Sequence, residues 1–295
     1  MKSKLLTLVI ILLVIPIVYA EEENNCSIFK LTNCIKDMSY SITYTTGLAA
    51  QPLIKLIQTL MIEPPNIEIF KQVWKVITSI ISIFYIFFLL YSGIIFITDS
   101  NNIIKRHKAK ESIKNMIIAI ILVLASYYLY TLLIEFNSTL TSYIFTNINQ
   151  DFFKLTSNNI INARLQLILI IPYILVLLLT CIMFGIRYLL VSFGIILFPI
   201  GIFLYFVPFL RSYGKLIINI LILLIFISFI SSIILLGSSM LANSEVFNNF
   251  SILFYIISFL IVDFSFYLLI KFILNKSGAS ETVNLSEEIA MLGGL

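Results

Sequence analysis

The sequence predicts an all-α polytopic membrane protein, and three observations carry the prediction. Hydrophobic residues make up 60% of the chain and charged residues only 12%, more apolar surface than a water-soluble domain can hide. The apolar residues fall into runs long enough to cross a bilayer. The positive charges gather between the runs, as they do where cationic loops set orientation. The expected architecture is five spans plus a re-entrant hairpin, with six full spans as the alternative.

The first twenty residues read as a signal peptide. Lys2 and Lys4 precede a short apolar core, and Val18-Tyr19-Ala20 ends in a small residue before three glutamates. A core of about 14 apolar residues is short for a span, so cleavage after Ala20 is expected, with an uncleaved anchor as the alternative. Cleavage places residue 21 onward outside the cytoplasm. Cys26 and Cys34 then lie in an oxidising compartment, where a disulfide is expected. Closing so short a loop contributes somewhat under ~3 kcal/mol. Cys181 lies inside an apolar run and reads as a small core residue. Asn25, Asn137 and Asn249 open glycosylation-type sequons, each a weak signal.

Residues 21–75 form an extracytoplasmic segment. Within it, Leu53, Ile54, Leu56, Ile57, Leu60 and Met61 alternate with Lys55 and Gln58. This suits a short amphipathic helix starting near Pro52 and stopping before Pro64-Pro65. Such a helix lies on the membrane or packs on neighbouring spans.

The transmembrane region is 76–272. Its first span is expected at 76–98, with Trp74 and Tyr91 as interfacial anchors. A second follows at 116–134, then a polar loop at 135–164. The apolar region 165–210 is too long for one span. Arg187 sits in its middle, and Pro172, Gly185, Gly194, Pro199, Gly201 and Pro208 punctuate it. Two further spans are expected at 216–236 and 251–272. A polar tail, 273–295, closes the chain.

Charge sets the expected topology. Lys105, Arg106, Lys108, Lys110 and Lys114 crowd the connection at 99–115, which the positive-inside rule puts in the cytoplasm. The loop 135–164 is then outside and carries only Lys154 and Arg164. A hairpin at 188–208 would put Arg211, Lys215, Lys271 and Lys276 on the side of the knot; a full crossing would put them opposite. The charge asymmetry favours the hairpin. On the plainer reading the knot only orients the chain and meets lipid headgroups, at about 1 kcal/mol per residue. The sharper reading adds an acidic partner, a protein or a nucleic-acid backbone.

Catalytic signals are sparse. The only histidine is His107, within the basic connection. The sequence holds neither a His-Glu-x-x-His motif nor a Cys/His cluster at metal spacing, and Gly214-Lys215 lacks the upstream glycines of a phosphate loop. The pattern argues against an enzyme and against a bound cofactor or metal. Energy-coupled work would need a separate cytoplasmic ATPase. Asp263 interrupts an apolar run near mid-span, where an ionised carboxylate costs at least ~2.5–3.5 kcal/mol unless paired or hydrated. Arg187 is a candidate partner; Ser231, Ser232 or a protonated state would also satisfy it. A structural pair outweighs a transport relay. Ser231-Ser232 and Gly237-Ser238-Ser239 read as close helix-packing positions.

Two stretches carry a family resemblance. "YSGIIFITDSNNIIKRHKAKESIKNMIIAIILVLASYYLY" is a span ending near Gly93, a polar turn, a basic knot and a second span. "LVSFGIILFPIGIFLYFVPFLRSYGKLIINILILL" holds a proline in an apolar stretch, an arginine past its end and another span. Together they resemble the TrbL-type polytopic subunit of type IV secretion and conjugation systems, and archaeal relatives such as the CedA membrane protein of DNA import. The likeness covers residues 66–272, with Gly93, Lys105, Arg106, Lys108, Ala109, Lys110, Pro199 and Arg211 at the recognisable positions. It implies a channel or scaffold subunit moving DNA or protein across the cytoplasmic membrane. It also implies a homo-oligomer or multi-subunit complex, a separate ATPase and DNA in transit as partners. The signal segment and the Cys26/Cys34 segment depart from the pattern. The alternatives are a small-solute or ion transporter with Asp263 in the path, and a structural pilus platform.

Overall fold

The computed structural model describes residues 46, 47, 50–98, 103–153, 163–207, 210–242, 244 and 251–292. The expected signal segment with its cleavage after Ala20, the Cys26–Cys34 pairing, Asn25 and Asn249 lie outside the described residues.

Six α-helices are described: α1 at 50–62, α2 at Lys71–Thr98, α3 at Ile103–Phe145, α4 at Ala163–Phe206, α5 at Arg211–Ala242 and α6 at Ser251–Leu292. Short 3-10 turns stand at Glu68–Phe70 and Gln150–Phe153. Five of the helices carry segments long and apolar enough to cross a membrane: Glu68–Thr98, Ala109–Phe145, Leu169–Phe206, Arg211–Ala242 and Ile252–Phe272. The expected all-α class with five spans therefore stands.

The hairpin expected at 188–208 does not form. Residues 163–206 make one helix of 44 residues, about 66 Å long at ~1.5 Å per residue. In water, a proline inside a helix costs ~3 kcal/mol or more through a lost hydrogen bond and a clash. Membrane helices tolerate it because neighbouring groups re-satisfy the freed carbonyl. Pro172 and Pro199 are such interior prolines, so the signals read as breaks are not breaks here. The basic stretch at 103–115 is likewise no loop but the start of α3. Lysine, arginine, alanine and glutamate are strong helix formers, and nothing in "KRHKAKESIKN" interrupts them.

The chain divides into two compact units. One holds the chain up to Ile62 with Thr141–Gly185 and Ile230–Phe264; the other holds Glu63–Leu140, Ile186–Phe229 and Ser265–Leu295.

In the second unit the core runs through Tyr85, Met116, Val123, Tyr130, Ile195, Phe203 and Leu221. α2 and α3 pair antiparallel, tied at one end by Trp74 Nε1 donating to Ser126 Oγ at 2.9 Å and at the other by Ser92 and Ser112 hydroxyls 3.0 Å apart. Trp74 thus clamps two helices, where the sequence suggested an interfacial anchor; Tyr91 remains exposed. Small residues let the other helices close up. A Cβ on Gly214 would stand 2.6 Å from Tyr205 Cα and 2.7 Å from the Gly201 carbonyl oxygen, so only glycine lets α5 leave its turn against α4.

In the first unit, α1 buries Ala50, Ile54, Ile57 and Met61, spaced at the helical repeat. It packs on protein: Gln51 Nε2 donates to the Phe153 carbonyl at 3.4 Å, and Phe153 stacks on Phe145.

The solvent is written in what faces outward. α2 exposes Ile83, Phe87, Leu90, Ile94 and Ile97, the last at 75%. Buried positions meanwhile hold Thr78, Ser92, Ser126, Ser228, Ser231 and Ser232. Large apolar side chains outside with small hydroxyls inside is the arrangement lipid favours; Thr78, Ser92 and Ser126 find a carbonyl or another hydroxyl, while Ser228 and Ser231 Oγ meet no partner. Asn137 is only 2% exposed within α3, so its sequon offers no accessible acceptor in the folded chain.

Candidate functional site

The second unit carries exposed cations on three helices. Arg106, His107, Lys110 and Lys114 are exposed on the first turns of α3, Arg211 and Lys215 at the start of α5, and Lys271 on α6. Lys105 and Lys108 lie on the same helix as Arg106. The spacing Arg106, Lys110, Lys114 repeats every four residues and makes one stripe along α3. Aromatic rings hold three of these cations. Arg106 stands 5.1 Å from the Phe96 ring centroid, Arg211 5.2 Å from Tyr205 and Lys271 5.7 Å from Tyr267. An exposed contact of this kind is worth ~0.5–1 kcal/mol, enough to orient a guanidinium without neutralising it. Phe96, Arg106, His107, Lys110 and Ile113 line an open cleft of about 420 Å³. The surface is suited to bind anionic groups.

Arg187 is buried at 3% exposure. Its Nε donates to the Leu224 carbonyl at 2.9 Å and its Nη2 to the Ile225 carbonyl at 3.0 Å. Both carbonyls belong to α5, and a helical carbonyl has a second lone pair to give. Arg187 therefore straps α4 to α5, which the planar fork of arginine does and an ammonium does not. Nearby, Tyr130 Oη donates to the Val191 carbonyl at 2.7 Å, fixing α3 to α4. Gly194 makes room for that phenol: a Cβ there would meet Tyr130 Oη, and Tyr130 Cζ at 2.6 Å.

Asp263 belongs to the first unit and is 6% exposed. The group it meets is the Thr180 hydroxyl, whose Oγ1 lies 3.1 Å from Asp263 Oδ2. Sequence reasoning named Arg187 as a candidate partner and passed over Thr180. A lone threonine in "LLLTCIMF" carries no signal until α4 is laid beside α6. Ser231 Oγ and Asp263 Oδ1, both in this unit, are buried without a hydrogen-bond partner. Cys181 keeps a free thiol and is half-buried.

Among the described residues no group of three or more His, Cys, Asp or Glu gathers to hold a metal. What the two units offer is a cationic stripe on α3, a strapped arginine and a buried carboxyl group.

A family model described as TrbL/VirB6 plasmid conjugal transfer like protein matches residues 57–290. No curated protein and no solved structure matches the chain.

Proposed function

The chain belongs to the TrbL/VirB6 plasmid conjugal transfer family, and we propose that it is the channel or scaffold subunit through which a type IV secretion-like apparatus moves DNA or protein. It is a multi-pass membrane protein of that class, with five helices suited to span. The family match over most of the chain is the observation that carries this reading. The finer likeness to archaeal DNA-import proteins rests on the two quoted stretches alone.

On this reading the protein has no catalytic step of its own. A separate cytoplasmic ATPase supplies the energy, and the subunit works in a multi-subunit complex. The basic surface faces the cytoplasm, because the connections and helix starts at 99–115 and 207–215 carry seven cations and those at 146–164 and 243–250 carry two, Lys154 and Arg164. Lys71 and Lys75 at the start of α2 belong to the opposite end and temper the asymmetry without reversing it. There the stripe of Arg106, Lys110 and Lys114 engages a polyanion, the DNA in transit or an acidic face of the ATPase.

Reversing Arg106, Lys110 and Lys114 to glutamate tests the reading. Losing three phosphate-type contacts lowers the log–log salt slope of partner binding by about 2.7. Transfer should fall with it while membrane insertion stays at the wild-type level. Crosslinking from Lys110 then tells DNA from ATPase. A variant that inserts, assembles and transfers like the wild type would leave the stripe a topology signal only. Purification of the chain as a lone protein from native membranes would sink the secretion reading itself.

A further inference from the structure

The first unit holds a cavity of about 480 Å³ where α1 crosses the end of α3. One wall is α1. Gln51, Lys55, Gln58 and Ile62 follow at helical spacing and share a face. Each stands one position after a buried residue, Ala50, Ile54, Ile57 or Met61, so the row runs along the edge of the face that α1 packs on protein. The other wall is Phe145, Ile148 and Phe153. It is held in place. Phe153 and Phe145 stack with ring centroids 5.7 Å apart, and Gln51 Nε2 donates to the Phe153 carbonyl at 3.4 Å. Ligand sites run from about 300 to 1,000 Å³, and a preformed one needs little ordering to bind.

The two walls ask for a two-sided ligand. Lys55 is exposed and is, among the described residues, the one charged side chain lining the cavity. A single ammonium serves a single anionic group as a point charge. The amides of Gln51 and Gln58 flank it, and an amide both donates and accepts, which matches hydroxyl groups. Ile62, Phe145 and Ile148 add an apolar surface that a small polar anion would leave unused. The cavity also sits at the right depth. α3 ends at Phe145, and exposed Thr146, Asn147 and Asn149 follow, as they do where a span meets the headgroup layer.

We propose that this cavity binds one anionic phospholipid with a hydroxyl-bearing headgroup, of the phosphatidylglycerol class. Lys55 takes the phosphodiester, Gln51 and Gln58 take the headgroup hydroxyls, and the first part of an acyl chain lies along Phe145 and Ile148. The Arg106–Lys114 stripe belongs to the other end of α3, so this site is separate from it. The inference stands on the cavity and not on the family assignment.

The full chain in phosphatidylcholine nanodiscs, doped with rising fractions of a photoactivatable phosphatidylglycerol, gives the test. Adducts mapped by peptide mass spectrometry should fall on α1 and on residues 145–153, and should saturate. Lys55→Gln removes a charged hydrogen bond and should raise the half-saturating fraction about tenfold, whereas Lys55→Arg should keep it low. Glutamates at Arg106, Lys110 and Lys114 should leave these adducts unchanged. Gln58→Leu should weaken labelling by phosphatidylglycerol and spare that by phosphatidic acid, which has no headgroup hydroxyls. Equal labelling by a photoactivatable phosphatidylcholine, or a Lys55→Gln variant that labels like the wild type, overturns the proposal. Competition by free glycerol phosphate would make the site one for a soluble anion and overturns the lipid assignment.

Discussion

Adding one methyl group at Gly194 should destabilise the second unit, although the same change at the open helical glycines Gly93, Gly185 and Gly237 should not. A Cβ at this position meets Tyr130 Oη, and stands 2.6 Å from Tyr130 Cζ and 2.9 Å from Leu221 Cδ2. Tyr130 has nowhere easy to go. It is fully buried, its ring lies 5.3 Å from that of Phe198, and its hydroxyl is spent on the Val191 carbonyl. Forcing it aside costs ~1–3 kcal/mol in overpacking. Leaving its hydroxyl buried and unpaired costs ~1–3 kcal/mol more. The better helix propensity of alanine returns up to ~1 kcal/mol. The net expectation for Gly194→Ala is a loss of about 3 kcal/mol, from the middle of those ranges.

Three glycines supply the control. Gly93, Gly185 and Gly237 have nothing within 4 Å of a built Cβ, so alanine there should be neutral or stabilising by up to ~1 kcal/mol. Unfolding in mixed micelles with rising SDS, followed by the fluorescence of the single tryptophan, Trp74, reads all four variants. Adding Tyr130→Phe to Gly194→Ala removes the atom closest to the new methyl and should recover about 1 kcal/mol as a coupling term in the double-mutant cycle. If Gly194→Ala unfolds with the wild type, or with Gly237→Ala, the packing argument for α3, α4 and α5 is wrong.

Gly214→Ala should be worse than Gly194→Ala, because its neighbours are the Tyr205 backbone and the Gly201 carbonyl oxygen, which cannot rotate away; expression of folded protein with a normal midpoint would count against it. Ser126→Ala takes the acceptor from Trp74 Nε1, should cost about 1 kcal/mol, and should shift the emission of the only tryptophan, whereas an unchanged spectrum would place Trp74 elsewhere. For topology, single cysteines in a background free of other cysteines should sort by end. Lys110→Cys and Lys215→Cys should react with a membrane-impermeant maleimide only from the cytoplasmic side, and Tyr143→Cys only from outside; labelling of the first two from opposite sides refutes five crossings.

Much of the fold was legible because it rests on patterns that lipid enforces. The apolar runs became the five span-type helices, and the helical spacing of Ile54, Ile57 and Met61 became the buried face of α1. What stayed illegible depends on which residues become neighbours. Glycine in an apolar run signals a break as readily as a close contact; Gly194 proved to be a socket for a tyrosine sixty-four positions earlier. Trp74 reads as an interfacial anchor until Ser126 is seen to face it. Asp263 announced itself as a charge in the wrong place, but its partner Thr180 did not.

The charge pattern and the length of α4 settle a question that neither settles alone. Cations at 103–115 and at 211–215 want the same side of the membrane. Two crossings lie between them if 163–206 is one helix, and three if it is broken into two full spans. An even number of crossings returns the chain to its starting side, so the continuous helix supplies the parity that the charges demand. The re-entrant hairpin would have met the same parity, and for that reason the charge argument could not tell it from a straight helix. Length distinguishes them. At ~66 Å against a hydrocarbon core of ~30 Å, α4 must tilt steeply or extend beyond the hydrocarbon, and Arg187 marks a point along it where one face is covered by protein. A guanidinium strapped to two α5 carbonyls needs a protein wall beside it. The need is met on one face of α4 only: Arg187, Val191 and Ile195 are buried, while Leu175, Ile186 and Leu189 on the other face stay exposed, as lipid allows.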